Sequence, residues 1–303
     1  MTPITITVLT FIFGTLIGSF LSVCIYRIPV GKYEPVHGEG AIPLPAQDVS
    51  LLTPARSFCP HCQKQLHWWH NIPIVSWMLL NGKCGFCKTV VPFRYVFLEL
   101  FTGCVAVLCF LRFGLNPTGI GVFVVLATMI VISFIDLDYM IIPDLISYPG
   151  TVLGLILAAT NQFISPYIVT TPGTLIFHPP FVETLLDGVI GILAGAGLLY
   201  SVFWLYLKIR KKEGLGLGDV KLLAVFGAFF GFECAWFAIF VGSMLGSVLG
   251  ILSALISRKG FSNYIPFGPY LVAGLMAFIL DFAGIWSILS GNGIPQYWAV
   301  ALR

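Results

Sequence analysis

The sequence predicts an all-α, polytopic membrane protein with about eight transmembrane helices and one small module between helices 1 and 2. Only 10% of its 303 residues are charged and 58% are hydrophobic, whereas a soluble domain carries about 25% charged residues. Apolar runs of about 20 residues, the length needed to cross a bilayer, recur along the chain. Lipid offers the backbone no hydrogen-bond partners, so these runs are expected to be helical.

The predicted spans follow the apolar runs in chain order, and the sixth is the shortest. Glycines at four-residue spacing, Gly14 and Gly18 in the first span and Gly242 and Gly246 in the seventh, predict close packing between helices. The eight spans are 5–28, 94–113, 118–135, 145–163, 183–207, 219–232, 235–257 and 268–290.

The distribution of positive charge predicts the orientation of these spans. Fourteen of the sixteen Lys and Arg residues lie in three places, 27–94, 208–221 and 258–259. Cytoplasmic loops are the ones enriched in Lys and Arg, so these places are expected inside and the amino terminus outside. The net charge of only +3 gives no indication of a nucleic-acid partner, and membrane lipid is the expected surrounding.

Residues 29–94 depart from the membrane composition and contain four cysteines. Cys59 and Cys62 form one C-x2-C pair, and Cys84 and Cys87 form a second pair after 21 intervening residues. Two pairs at this spacing are typical of a zinc site in which four thiolates complete a closed tetrahedron. We therefore expect a structural zinc ion. Two disulfides are the alternative, but a cytoplasmic loop keeps its thiols reduced.

Aromatic and histidine side chains surround these cysteines. Trp68, Trp69 and Trp77 favour seating at a membrane interface, where aromatic residues are enriched, and they also suit a groove that binds a ligand. The nearby histidines are expected to be surface or packing residues rather than ligands: His61, His67 and His70.

Two aspartates lie at the edges of apolar runs, Asp136 at the end of one and Asp219 at the start of another. A carboxylate at the edge of hydrocarbon costs several kcal/mol unless it is paired, hydrated or neutralised, so by default it marks a functional site. Two carboxyls that face each other form an acid/base pair able to hydrolyse peptide bonds without a metal. The simpler interpretation of Asp219 alone is a helix N-cap.

The residues beside these aspartates refine the hypothesis. Asp138 follows Asp136 by two positions, so on a helix the two side chains point in different directions. Pro143 ends or kinks any helix at this point, and Asp144 after it is expected to cap the next helix. Glycines at alternate positions before Asp219 allow a peptide backbone to approach closely: Gly214, Gly216 and Gly218.

A transporter with a zinc-bound regulatory loop is the alternative function. Transporters place acidic residues near the bilayer midplane, in paired broken helices. Here both acids are expected at one face of the membrane, which favours chemistry at that face.

The motifs together resemble the type IV prepilin peptidases, the bacterial branch of the GxGD intramembrane aspartic proteases. The resemblance covers nearly the whole chain and its motifs occur in the family's order. They are 18–29, the two C-x2-C pairs, 71–77, 82–84, Arg94 with Tyr95 and Glu99, 134–144, 214–221 and 265–270.

The resemblance implies a bifunctional enzyme of the bacterial inner membrane, with its active site facing the cytoplasm. It would cleave the leader of type IV prepilins or pseudopilins after a glycine, and then methylate the new amino terminus with S-adenosylmethionine as cosubstrate. Asp136 and Asp219 match the family's catalytic pair, and Gly82 matches a position associated with methylation.

The resemblance also implies a division of the chain. Residues 1–28 would be the first transmembrane helix, 29–94 the cytoplasmic zinc-binding module associated with methyl transfer, and 95–303 the helical peptidase domain. Segment 161–182 departs from the family because it looks longer than usual. An archaeal-type preflagellin peptidase is the alternative within the same fold, but such enzymes usually lack the four-cysteine loop.

Overall fold

The structure is a computed structural model that describes residues 3–30, 32–33, 50–51, 53–160, 181–211, 216–257 and 266–280. Within these ranges the fold is helical, and the only β pairing is two isolated bridges, Phe58 with Gln65 and Lys83 with Val90. The predicted all-α class is therefore confirmed. The predicted loop 161–182 falls almost wholly outside the described residues.

Eight α-helices and one 3-10 helix occur in the described part of the chain. The 3-10 helix is Trp68–Asn71. The α-helices are α1 Pro3–Arg27, α2 Val75–Leu79, α3 Arg94–Phe113, α4 Pro117–Tyr139, α5 Asp144–Thr160, α6 Phe181–Arg210, α7 Leu217–Ser257 and α8 Gly268–Ile279.

Five of the described helices are long and apolar enough to cross a membrane. The two shorter apolar helices are Asp144–Ala159 and Gly268–Ile279. The five are Ile4–Arg27, Arg94–Phe113, Pro117–Tyr139, Leu185–Arg210 and Leu217–Leu252. The chain is therefore a multi-pass membrane protein, as its composition predicts.

The longest helix, α7, is a helical hairpin rather than one straight rod. Leu223 and Ala235 are twelve residues apart, which along a straight helix is about 18 Å. Yet a side chain at Gly195 would lie 2.9 Å from Ala235 Cβ and 3.8 Å from the Leu223 carbonyl oxygen. The chain reverses at Gly231, whose φ of 77° and ψ of −170° are not helical. The predicted sixth and seventh spans are therefore the two arms of this hairpin.

The prediction for the third span ended too early. Span 118–135 stopped at the first acidic residue, but α4 continues to Tyr139. Hydropathy falls where the lipid ends, whereas the backbone hydrogen-bond ladder continues until the chain turns. That turn comes at Met140, where φ is +52°, and Pro143 then precedes the start of α5 as predicted.

The described residues divide into two units, one that ends at Tyr139 and one that begins at Met140. In the first unit α1 packs antiparallel against α3 with the two backbones in close contact. A side chain at Gly14 would lie 2.8 Å from the Gly103 Cα, and one at Gly18 would lie 2.8 Å from the Glu99 Cα. The predicted glycine contacts of the first span are thus present.

In the second unit the hairpin α7 packs against its neighbours through small residues. A Cβ atom at Gly227 would overlap the Gly191 carbonyl carbon of α6, and one at Gly154 of α5 would lie 2.9 Å from the Ala228 Cβ. On the other arm a Cβ at Gly242 would lie 3.1 Å from the Leu271 amide nitrogen of α8. Small residues let backbones approach closely where lipid provides no hydrophobic force between helices.

The contact between α6 and α7 can be tested with a matched pair of glycines. Gly227→Ala is expected to overpack this contact at a cost of about 1–3 kcal/mol, which lowers the unfolding temperature in detergent by roughly 2–4 °C per kcal/mol. Gly197→Ala on α6 is the control, because a Cβ there meets nothing within 4 Å. Alanine should leave that variant equal to or more stable than the wild type. Equal unfolding temperatures for the two variants would contradict the close contact.

Candidate active site and metal centre

The four cysteines converge as a tetrahedral metal centre requires. The Sγ atoms of Cys59, Cys62, Cys84 and Cys87 all lie within 4.8 Å of one another, and the Sγ atoms of Cys59 and Cys87 are 3.8 Å apart. A zinc ion with Zn–S bonds of about 2.3 Å in a tetrahedron places its sulfurs about 3.8 Å apart. The donor set therefore fits zinc and leaves no open coordination position.

The two cysteine pairs are held by turns that repeat the same geometry 25 positions apart. In the first turn the Gln63 amide donates to the Cys59 carbonyl at 2.7 Å, and in the second the Lys88 amide donates to the Cys84 carbonyl at 3.1 Å. Gln63 and Lys88 both have positive φ, +56° and +60°. The two β-bridges of the fold flank these turns in equivalent positions, so each turn presents its thiols in the same way.

The local environment shifts the pKa values of two of these thiols in opposite directions. Burial raises the pKa of Cys59 to about 12. The Thr89 hydroxyl, 3.2 Å from the Cys87 Sγ, lowers the pKa of Cys87 to about 6, and the Thr89 backbone amide adds to this effect. Thiolates packed side by side repel one another, and a bound dication removes that penalty because thiolate is the ligand form.

The histidines of the module pack against aromatic rings, and the group of converging ligand atoms consists of the four cysteines. The His67 ring stacks on Trp69 with centroids 4.4 Å apart, and the His70 ring lies edge-on to Phe86. Burial, together with the charge of His67, lowers the pKa of His70.

Gly82 is required by the backbone and by its contact with Trp77. Its φ is +65°, and a Cβ atom there would lie 2.9 Å from the Trp77 ring. The same ring donates its Nε1 proton to the Val91 carbonyl at 3.0 Å. Trp77 is therefore a structural residue of the second cysteine turn, while Trp68 is 75% exposed.

Asp136 lies in the last turn of α4 and is buried, with 5% of its surface exposed. Asp138, two residues later, points elsewhere as the helical spacing predicts. Its Oδ1 accepts a 2.6 Å hydrogen bond from Arg94, whose guanidinium also donates to the Phe134 carbonyl at 3.2 Å. Asp138 therefore serves a surface ion pair of the first unit.

Asp219 lies in the first turn of α7 in the second unit, and is 7% exposed. Its glycine neighbours have separate roles. A Cβ at Gly218 would lie 3.1 Å from that of Ile142, so glycine permits this packing. A Cβ at Gly216 would lie 3.5 Å from the Asp219 carboxylate, an ordinary contact distance, so Gly216 borders the acid without being required by packing. Gly214 lies outside the described residues.

Asp144 begins α5, but its side chain is engaged with a cation rather than with the helix terminus alone. Its Oδ1 accepts a 2.6 Å hydrogen bond from the Lys221 ammonium, which also lies 5.0 Å from the centre of the Tyr148 ring. The acidic side chain still favours the helix N-terminus. Asp138 and Asp144 thus each belong to an ion pair inside one unit.

Two other acids inside the helices received no role from the sequence, Glu99, which is buried, and Asp187, which is half-buried. Glu99 on α3 accepts a 2.7 Å hydrogen bond from the Ile74 amide. Asp187 on α6 accepts one of 3.3 Å from the Phe232 amide, where the second arm of the α7 hairpin begins. Both lie inside predicted spans, so their charge within an apolar run was the signal available. Their backbone partners are not visible in the sequence.

These features define a multi-pass membrane protein with a tetracysteine module and buried acids at two helix ends. The chain matches the Bacterial Peptidase A24 N-terminal domain over residues 12–113 and the Type IV leader peptidase family over residues 123–251. It belongs to the type IV leader peptidase family.

Curated relatives align over almost the full length of the chain, and each bears the name prepilin leader peptidase/N-methyltransferase. The protein from Stutzerimonas stutzeri is 33% identical, over 91% of both chains. The protein from Pseudomonas aeruginosa is 32% identical, again over 91% of both chains. That from Dichelobacter nodosus is 34% identical over 88% of this chain and 89% of its own. No solved structure matches the chain. The transporter alternative is not favoured by these matches.

The metal centre can be tested by metal analysis of the purified full-length protein. We expect roughly one zinc ion per chain, and Cys84→Ser should lose most of it because a closed tetrahedral site needs all four sulfurs. Cys104→Ser is the control, since Cys104 lies on α3 outside the cysteine group. Stoichiometric zinc in the Cys84→Ser protein would contradict the assignment.

Proposed function

We propose that this chain cleaves the leader of type IV prepilins or pseudopilins after a glycine and then methylates the new amino terminus. One observation carries the proposal: relatives named for both activities align with this chain over 91% of their length and of its own. The two buried aspartates and the tetracysteine module support it, because the aspartates are available for cleavage and the module for methyl transfer.

Asp136 and Asp219 are the proposed catalytic pair of the peptidase. One carboxylate takes a proton from a water molecule, and the oxygen of that water attacks the scissile carbonyl carbon. The other, protonated, polarises the carbonyl oxygen and then protonates the departing amine. The proposal requires the two carboxyls to meet, and two carboxyls that meet in a low dielectric do not both ionise readily, so such a pair shares one proton. Their burial at helix ends suits this division of roles.

The substrate class follows from the place of these acids along the helices. A prepilin carries a basic leader followed by a long apolar helix, which lies in the bilayer. Asp136 is in the last turn of α4 and Asp219 in the first turn of α7, the ends that the positive charge distribution assigns to the cytoplasm. The active site would therefore face the cytoplasm from the inner membrane, where the leader begins.

Methyl transfer is assigned to the module 29–94. The neutral amine released by cleavage attacks the methyl carbon of S-adenosylmethionine, the C–S bond breaks, and the amine loses a proton. The module has no G-x-G-x-x-G fingerprint, so its cosubstrate site is not of the Rossmann type. Zinc, when bound, supplies folding free energy to a module too small to fold by burial alone. Gly82 contributes by allowing the Trp77 contact that shapes the second cysteine turn.

The catalytic pair can be separated from the ion-paired acids. Asp136→Asn and Asp219→Asn are each expected to lower leader cleavage by at least about 100-fold, because an amide can neither accept nor donate the catalytic proton. Asp138→Asn and Asp144→Asn are the controls, since those acids hold cations within their own units. A gel-shift assay of a co-expressed prepilin measures cleavage. Full cleavage by either of the first two variants would remove that residue from the pair.

The role of Gly82 is tested by the ratio of the two activities. Alanine at a positive φ costs about 1–2 kcal/mol and would press on Trp77, so methyl transfer should fall roughly tenfold or more while cleavage persists. Val90→Ala is the control, because Val90 is exposed in the same module. Mass spectrometry of the mature pilin reports both the loss of the leader and the added methyl group. A Gly82→Ala enzyme that methylates normally would refute the assignment.

A further inference from the structure

The peptidase assignment leaves Glu99 unused, although it is a buried acid, 8% exposed, inside a membrane-spanning helix. Its Oε2 accepts a 2.7 Å hydrogen bond from the amide of Ile74. Ile74 has a φ of +61°, a region that β-branched residues rarely occupy. The carboxylate therefore holds a strained point of the cysteine module against α3.

A second hydrogen bond fixes the same segment to α1. The Ser19 hydroxyl donates to the Asn71 carbonyl at 3.5 Å. Ser19 lies eight residues from Arg27, the last residue of α1, and Glu99 lies five residues from Arg94, the first residue of α3. At 1.5 Å per residue, these positions are about 12 Å and about 7.5 Å from the respective helix ends.

The two helix ends mark the border of the membrane. Arg27 directs its guanidinium away from the span, to the carbonyl oxygens of Ser50, Leu51 and Arg56, and Arg94 forms an ion pair with Asp138. The segment therefore reaches past this border at Asn71 and Ile74, to the depth of the hydrocarbon between the ends of α1 and α3.

Backbone amides of this segment have hydrogen-bond partners within the protein, which is necessary in hydrocarbon because lipid offers none. The Ser76 amide donates to the Ile72 carbonyl at 3.1 Å, and the Met78 amide donates to the Ile74 carbonyl at 3.0 Å. The Ile74 amide precedes α2 and has no partner within that helix. It donates its hydrogen bond to Glu99 instead. Lipid-exposed backbone without such partners does not occur in hydrocarbon.

The side chains on the outer side of the segment are large and apolar. Val75 is 48% exposed, Met78 64% and Leu79 78%. At the same height Phe20 of α1 is 60% exposed and Phe97 of α3 is 49% exposed. These two phenylalanines lie within two residues of Ser19 and Glu99, which bond to the segment, and they face lipid because their helices cross the membrane.

We propose that residues 71–79 are embedded in the lipid leaflet at the Arg27 end of α1, with Val75, Met78 and Leu79 against acyl chains. Glu99 fixes the segment there by accepting a hydrogen bond from the Ile74 amide. The four-cysteine module is then anchored in the bilayer by this segment as well as by the helices at its two ends. Lipid is the occupant because the segment is bonded to Ser19 and Glu99, which lie inside two membrane-spanning helices, and its exposed side chains are apolar.

Photo-crosslinking in vesicles of phosphatidylethanolamine and phosphatidylglycerol tests the proposal. A benzophenone amino acid replaces Leu79 in the full-length protein, Val90 as a matched site and Val124 of α4 as a membrane reference. Val90 is 69% exposed and Val124 56%. We expect at least about tenfold more phospholipid adduct from position 79 than from position 90, and a yield at 79 like that at 124, because positions 79 and 124 meet hydrocarbon and position 90 does not. Peptide mass spectrometry identifies the adducts.

Two outcomes would overturn the proposal. One is an equal lipid yield at positions 79 and 90. The other is that the probe at position 79 crosslinks to a prepilin instead of to lipid when a prepilin is co-reconstituted, which would make the segment a substrate surface. Neither outcome depends on which residues cleave the leader, so the proposed peptidase function is tested separately.

Variants of Glu99 test how the segment is held. Glu99→Gln keeps a carbonyl oxygen that can accept the Ile74 amide, so the lipid adduct at position 79 should stay at the wild-type level. Glu99→Leu removes the acceptor and should lower that adduct about fivefold, because the unpaired amide cannot remain in hydrocarbon. Zinc content serves as the control for folding of the module and should be unchanged. A wild-type adduct yield in Glu99→Leu would show that Glu99 does not hold the segment.

Discussion

The lack of hydrogen-bond partners in lipid is the constraint on which the placement of polar groups in this protein depends. Two acids inside the described helical spans each accept a hydrogen bond from a backbone amide that has left its helix. Glu99 accepts a hydrogen bond from the amide of Ile74, a strained residue, and Asp187 accepts one from the first amide after the break in α7. Each carboxylate replaces water at a point where the backbone leaves its own helical hydrogen-bond ladder. The same cost makes a buried acid at a helix end, such as Asp136, informative about chemistry.

Close packing through glycine is the second consequence of the lipid environment. Without a hydrophobic force between helices, association depends on van der Waals contact between backbones. Gly14 and Gly18 bring α1 onto α3, and Gly191 and Gly227 bring α6 onto α7. These contacts determine where the ends of the helices lie within each unit. The acids and the cysteine module are carried by those ends.

The cysteine module combines two kinds of order. Its two turns present four sulfurs at the spacing of a zinc tetrahedron, which a module of this size needs in place of a large core. Its remaining contacts, through Ser19, Glu99 and Arg27, attach it to the membrane helices. A methyl-transfer site in this module would thus be held by a metal on one side and by transmembrane helices on the other.

The sequence by itself determined the helical class, the positions of the spans, the four-cysteine pattern and the two aspartates, because hydropathy and ligand spacing are local properties of the chain. It missed the continuation of α4 past Asp136, and it could not show the partners of Glu99, Asp187 and Asp138. Only the tertiary structure decided these. A hydrogen bond between Glu99 and Ile74 joins residues 25 positions apart, and no local pattern records which backbone amide a buried acid will meet once helices pack.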